Sequence, residues 1–113
     1  MKLIYCPECL DVKKVRMLKV RYCACGRSWG YYLDDDLTAV VGGLAVPLAI
    51  ENDKLREAAA RRPKNGRGSF CRVRVLPEEY DTLRHRSEPD PAIAHDAGAV
   101  ARRNSCRLKQ NDS

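Results

Sequence analysis

The chain has 113 residues, 21 Lys and Arg against 15 Asp and Glu, and a formal net charge of +6, so one small domain is the natural expectation. With one Trp and one Phe there is little large apolar material for a core, and folded units below roughly 70–80 residues commonly recruit a metal, disulfides or a partner. The longest apolar stretch, Leu37 to Ile50, is broken by Gly42, Gly43 and Pro47 and falls well short of the roughly 20 residues of a spanning helix, so no helical membrane span is expected.

In chain order, Lys2 to Tyr5 reads as a short strand that runs into a cysteine pair, too soon for the apolar core of a signal peptide. Val12 to Tyr22 mixes Val, Leu, Met and Tyr with Lys and Arg, the composition of a two-stranded excursion that returns the chain to Cys23. Ser28 to Leu33 is a further, aromatic strand, and Asp34-Asp35-Asp36 marks a solvated turn. Leu37–Val41, Gly42-Gly43 and Leu44–Val46 read as a β-hairpin, because glycine tolerates the positive φ of a two-residue turn. Pro47 cannot donate a ladder hydrogen bond, so the second strand of that hairpin is expected to be an edge or to end there. Asn52 is the expected N-cap of a helix over 53–62 that Pro63 ends. Phe70 to Leu76 alternates, with Cys71, Val73 and Val75 on one face and Arg72 and Arg74 on the other, as a half-buried strand does. Pro77 opens a second short helix to about Arg86. From Ser87 the chain turns to Pro, Ala, Asp and Arg, and disorder is expected, with an alanine-rich helix around 92–103 as the alternative. The fold class that results is small α+β: a β-rich ordered domain over 1–86 with one or two short helices, and a poorly ordered tail over 87–113.

Four cysteines in the first quarter carry the chemistry: Cys6-Pro7-Glu8-Cys9 and Cys23-Ala24-Cys25-Gly26. Two turns that each present a pair of thiolates can close a tetrahedron around Zn2+, which favours sulfur ligands in structural sites. The 13 residues between Cys9 and Cys23 are enough for a short two-stranded return. Gly26 permits the left-handed turn such knuckles require. Cys6, Cys9, Cys23 and Cys25 are therefore the expected ligands, with Cys71 or His85 as a replacement for one of them. Cys106 and His95 fall in no ligand spacing. A thioredoxin-type role for Cys6 and Cys9 needs a strand–helix setting, whereas the segment after Cys9 is strand-like and basic. Metal-type spacing fits a reducing cytoplasm better than a secreted disulfide framework.

This pattern resembles the zinc-ribbon class, and more narrowly small zinc-ribbon proteins of bacteria and their phages. The matching stretch runs from Leu3–Pro7 through Arg21–Ser28 and continues with Gly30–Asp34 and Pro47–Asn52, a span of about half of the chain. Leu10 stands where such ribbons often place a glycine after the first knuckle. What the resemblance implies is a zinc site used as scaffold, in a class whose members bind nucleic acid or protein partners.

Charge is uneven along the chain. Residues 1–33 carry seven basic groups against two acids and 61–86 carry eight against three, while 34–60 carry six acids against two bases. Lys13, Lys14, Arg16, Lys19, Arg21 and Arg27 cluster around the knuckles, with Tyr22, Trp29, Tyr31 and Tyr32 among or just after them. Cations for phosphates and flat rings for stacking are what single-stranded nucleic-acid surfaces use, and of the rings Tyr32 is the one expected to face outward. Trp29 and Tyr31 are expected in the core. No phosphate loop, nucleophile elbow or His-Glu-x-x-His motif is present. The expectation is a non-enzymatic, nucleic-acid-binding or regulatory module, with a protein adaptor that offers the 44–50 edge as the alternative.

Overall fold

A computed structural model describes residues 1–95 of the chain. In order, these form β1 (Lys2–Tyr5), β2 (Val12–Lys14), β3 (Lys19–Tyr22), β4 (Ser28–Tyr32), β5 (Ala39–Gly43), β6 (Val46–Ala49), α1 (Asn52–Ala60), β7 (Arg74–Val75), β8 (Leu83–His85) and β9 (Ala94–His95). The strands make two sheets, ordered β2-β1-β6-β7 and β8-β5-β4-β3-β9. Antiparallel pairing joins β1 to β2 and β6, and β4 to β3 and β5, whereas β8 and β9 add in parallel to β5 and β3.

β4 organises the molecule. All five of its residues are buried, and alternate residues serve opposite faces because strand side chains have a period of two. Trp29 and Tyr31 pack with Val20, Tyr22 and Val40 on one face, where Ile93 closes the cluster. Tyr32 joins Ile4, Val15, Ala39, Val41, Leu76 and Leu83 on the other. Gly30 sets the approach of the two sheets, since a Cβ there would lie 3.1 Å from the Ile4 side chain. Burying an Ile or Val completely is worth about 1.5–3 kcal/mol, and Ile4, Val15, Val20 and Val41 are each at most 2% exposed.

Several expectations are corrected. The Gly-Gly hairpin does not form, because β5 pairs with β4 and β8 while β6 pairs with β1 and β7. Gly42-Gly43 is instead where the chain leaves one sheet for the other. A Cβ at Gly42 would run into the Trp29 ring and the Arg86 carbonyl, and Gly43, at φ 65°, passes tightly over the Arg27 carbonyl. β6 is consequently interior, not an edge. Pro47 is tolerated there because its carbonyl accepts from Leu76 N (3.0 Å); its ring nitrogen, on the same side, faces the short β7 and leaves the β1 ladder intact.

The excursion after the first knuckle also splits, β2 joining one sheet and β3 the other. Strand pairing in the 70–76 region covers only Arg74–Val75, and Val73 and Val75 are exposed because no layer of the described residues covers this outermost strand; Leu76 is the residue that enters the core. Pro77 opens turns that lead into β8, not a second helix. α1 begins after Glu51, which makes no side-chain cap, and it ends at Ala60 with only Ala58 buried.

Residues 87–95, expected as the start of a loose tail, run across the Trp29–Tyr31 face. Asp90 N donates to the Tyr31 hydroxyl (3.3 Å), Ile93 packs beneath it, and β9 comes next. The 92–103 helix alternative and Cys106 fall largely or wholly outside the described residues.

Candidate metal centre

β1 and β3 each end one residue before a cysteine turn: Tyr5 precedes Cys6, and Tyr22 precedes Cys23. In the first turn Cys6 N donates to Asp11 O (2.9 Å) and Leu10 N to Cys6 O (2.8 Å). In the second, Cys23 N donates to Ser28 O (2.9 Å) and Gly26 N to Cys23 O (3.0 Å). The missing residue of Cys-x-Cys is thus absorbed by a turn closed one residue earlier. In both turns the residue after the second cysteine is left-handed, Leu10 at φ 63° and Gly26 at φ 75°. Leu10 therefore adopts the conformation that glycine takes at no steric cost, and the turn closes despite the substitution.

The two knuckles are tied to each other independently of any metal. Asp11 Oδ2 accepts from Ala24 N at 2.8 Å, and Glu8 meets Arg27 at 3.4 Å. The second pair is half-exposed and contributes about 0–1 kcal/mol. The first fixes the register of one turn against the other.

This brings all four sulfurs together. Cys6, Cys9, Cys23 and Cys25 present their Sγ atoms within 4.8 Å of one another, and three of the four residues are buried. Cys23 and Cys25 sulfurs lie 3.3 Å apart, Cys6 and Cys25 sulfurs 3.6 Å. These spacings are far too long for a disulfide at about 2.05 Å. They are close to the roughly 3.8 Å edge of a tetrahedron with 2.3 Å metal–sulfur bonds. Cys71 and His85 are not part of this group; Cys71 borders a groove beside α1 and His85 is an exposed residue of β8.

Burial pushes the Cys6 thiol up, but the Ser28 hydroxyl and the backbone N–H groups of Cys9 and Glu8 outweigh it and bring it down to about 7. Burial pushes Cys9 up, and it drives Cys25 up strongly, where the neighbouring sulfurs of Cys23, Cys6 and Cys9 add to it against an N–H from Arg27. One thiolate forms readily, and further ionisation in so small a volume requires a positive charge. Ser28 supplies a separate sign. Its Oγ is fully buried and has no hydrogen-bond partner of ordinary geometry, a cost relieved when the adjacent Cys6 sulfur becomes an anionic acceptor.

The cations expected to contact nucleic acid divide into two groups. Lys13 pairs with Asp11 at 3.7 Å, Arg27 with Glu8 across the two knuckles, and Arg21 donates to the Lys14 carbonyl at 3.1 Å, which ties β3 to β2, so these three are engaged within the fold. Lys14, Arg16 and Lys19 are exposed and line one cleft at the far end of β1 and β3 from the sulfurs. Tyr32 does not present its ring for stacking: it is 8% exposed, its hydroxyl accepts from Lys2 N at 2.7 Å, and it shows only at the bottom of that cleft. Two features escaped the sequence reading. Lys2, only 8% exposed, sits at an alternating apolar position that gives no hint of a buried ammonium. Phe70, 97% exposed, lies in the stretch from Arg61 to Val75 that carries six cations and no acid, which was the available signal.

No helix of the described residues is long and apolar enough to cross a membrane. Comparison with protein-family models, curated proteins and solved structures gives no match to this chain.

Proposed function

We propose that Cys6, Cys9, Cys23 and Cys25 hold a structural Zn2+ and that the module it stabilises is a non-enzymatic binder of nucleic acid. The four-sulfur cluster is the observation that carries this reading. An all-thiolate set favours zinc over harder cations and leaves no open position for a substrate, which is the pattern of a structural site. When bound, the ion supplies charge compensation for the thiolates and a cross-link between the ends of β1 and β3. Lys14, Arg16 and Lys19, exposed along one rim, are the residues that would meet phosphates; Lys13, Arg21 and Arg27 are engaged within the fold. The adaptor alternative is the weaker reading, because β7 pairs with Leu48 and Ala49 of the strand it would offer.

Metal analysis of purified protein is expected to give one zinc per chain, lost in Cys9→Ser and retained in Cys71→Ser. Full folding in chelator would refute the structural role. Single-stranded DNA or RNA should bind with an affinity that falls with salt at a log–log slope of about −2, for three phosphate contacts at roughly −0.7 each. Salt-independent binding, or none, would refute the nucleic-acid reading.

A further inference from the structure

The cleft between the start of β1, the 15–19 crossover and the end of β4 is walled by Lys2, Lys14, Arg16, Lys19, Tyr32 and Asp36 and encloses about 590 Å³. That volume lies in the range of about 300–1,000 Å³ typical of small-ligand sites. Its cations outnumber its one carboxylate four to one.

The wall is pre-formed. Val15, 2% exposed, pins the crossover into the core, and its N donates to Lys2 O at 3.1 Å. Tyr32 N donates to Arg16 O and Leu18 N to Tyr32 O, each at 2.8 Å, which staples the crossover to the end of β4. Leu18 at φ 53° then turns the chain so that Arg16 and Lys19 stand opposite each other as a bridge.

Lys2 forms the floor. Its ammonium donates to the Leu37 carbonyl and lies 5.6 Å from the centre of the Tyr32 ring. An ammonium has three N–H donors, so this arrangement leaves donors over. Burial lowers its pKa, with Asp35 acting in the opposite direction. Tyr32, already an acceptor from Lys2 N, keeps its own O–H to donate. Buried charge is costly unless paired, and placing three further cations around this one only raises the cost. A dianion on Lys2 gives each of these cations an attractive partner, which offsets their mutual repulsion, with Asp36 the one group of the wall that opposes it.

We infer that this cleft binds a phosphate monoester, with Lys2 and the Tyr32 hydroxyl meeting the phosphate from below and Lys14, Arg16 and Lys19 closing on it from the rim. Half-exposed Met17 and Leu37 flank the opening, which gives the organic part of an ester an apolar surface and favours an ester over inorganic phosphate. The ester can come from a free nucleotide or from the phosphorylated end of a strand. The inference shares Lys14, Arg16 and Lys19 with the nucleic-acid reading and sharpens what they recognise.

The test titrates the zinc-loaded full chain with inorganic phosphate, with adenosine 5′-monophosphate, and with one short single-stranded DNA carrying either a 5′-phosphate or a 5′-hydroxyl. Amide NMR shifts locate binding, and each ligand is repeated on Lys2→Met and Arg16→Gln. Saturable shifts at residues 14–19, 32 and 37, stronger for the nucleotide than for phosphate and weakened about tenfold in either variant, a loss of about 1.4 kcal/mol, support the inference. Preference for the 5′-phosphorylated strand over the nucleotide assigns the strand end as the source; the reverse order assigns the free nucleotide. No saturable shift at millimolar ligand, shifts elsewhere, or equal binding by a correctly folded Lys2→Met would overturn it. Strand binding that ignores the 5′-phosphate and is not displaced by the nucleotide would overturn the cleft and leave the nucleic-acid reading standing. Nucleotide binding with no strand binding would do the opposite.

Discussion

Ser28→Ala is a sharp perturbation because its sign depends on whether Cys6 is a metal-bound thiolate. The Ser28 side chain is fully buried and its hydroxyl has no ordinary partner. Such a hydroxyl beside a neutral thiol is a liability of about 1–3 kcal/mol, so at a pH well below the Cys6 value of about 7 its removal should leave the metal-free chain unchanged or more stable. Beside a thiolate it becomes a charge-assisted donor worth about 1.5–3 kcal/mol. Only one oxygen is deleted, so little cavity cost is added. The metal-loaded protein should therefore lose that much, which is roughly a 10–100-fold drop in zinc affinity, the usual scale for a partner lying behind a ligand. Competition against a chromophoric chelator reads the affinity directly, whatever state the stripped chain adopts. Where the stripped chain still melts cooperatively, its midpoint should be level or higher in the variant. An unchanged affinity would refute the reasoning, as would a variant that is weakened equally with and without metal.

Leu10→Gly should stabilise the loaded protein by up to about 1 kcal/mol, the difference between the roughly 1–2 kcal/mol strain of a left-handed L-residue and glycine's entropic cost of about 0.5–1. Leu10→Val should destabilise it; thermal melts giving the opposite order would show that the exposed Leu10 side chain, not its backbone, matters. Gly42→Ala should cost about 3 kcal/mol or more, because the added methyl meets the Trp29 ring and the Arg86 backbone carbonyl; a melt within about 4 °C of wild type would contradict that packing. Asp35 is held at about 2, below the ordinary carboxylate value of 3.8, by the Thr38 hydroxyl and the Thr38 and Leu37 N–H groups. A depressed carboxyl contributes in full above its unfolded pKa and loses its contribution as pH falls through the folded one. The stability gap between wild type and Asp35→Asn should thus be the same at pH 7 and pH 5, and a gap that shrinks within that window would refute the assignment.

What could be read from the sequence was local. The cysteine turns, β1, β4 and the helix after Ile50 each depend on residues within a few positions of one another, and each is found. Pairing was not legible, because it is decided by what lies across from a strand. Gly42-Gly43 carries a strong hairpin signal, yet its glycines serve the Trp29 ring and the Arg27 carbonyl, partners more than a dozen residues away. The alternation of Cys71, Val73 and Val75 signals a buried face only where a second layer exists, and none of the described residues covers β7. The burial of Tyr32 was not legible either, because the Lys2 amide that donates to its hydroxyl is thirty residues distant. The pairing of Arg27 with Glu8 and of Arg21 with the Lys14 carbonyl was illegible for the same reason, since each joins segments seven or more residues apart, whereas the Lys13–Asp11 pair is local.

The metal centre and the cleft are two ends of the same pair of strands. β1 runs from Lys2 to Tyr5 and on to Cys6; β3 runs from Lys19 to Tyr22 and on to Cys23. In each, a cleft lysine precedes a metal cysteine by four residues, about 13 Å of extended chain. The two strands belong to different sheets, so no shared ladder of hydrogen bonds fixes one against the other. What fixes them is β4, packed against β1 at Gly30 and paired with β3, together with the sulfur cluster at their ends. A cross-link there constrains both strands at a cost in chain entropy already met by the Asp11–Ala24 bond. At the other end the Val15–Lys2 and Tyr32–Arg16 bonds already place Lys2 and Lys19, and a cross-link at the sulfurs would add a second constraint on that separation. An ion that takes no part in recognition would in this way help to set the spacing of the groups that do, and that is the physical sense in which a structural metal can matter to binding.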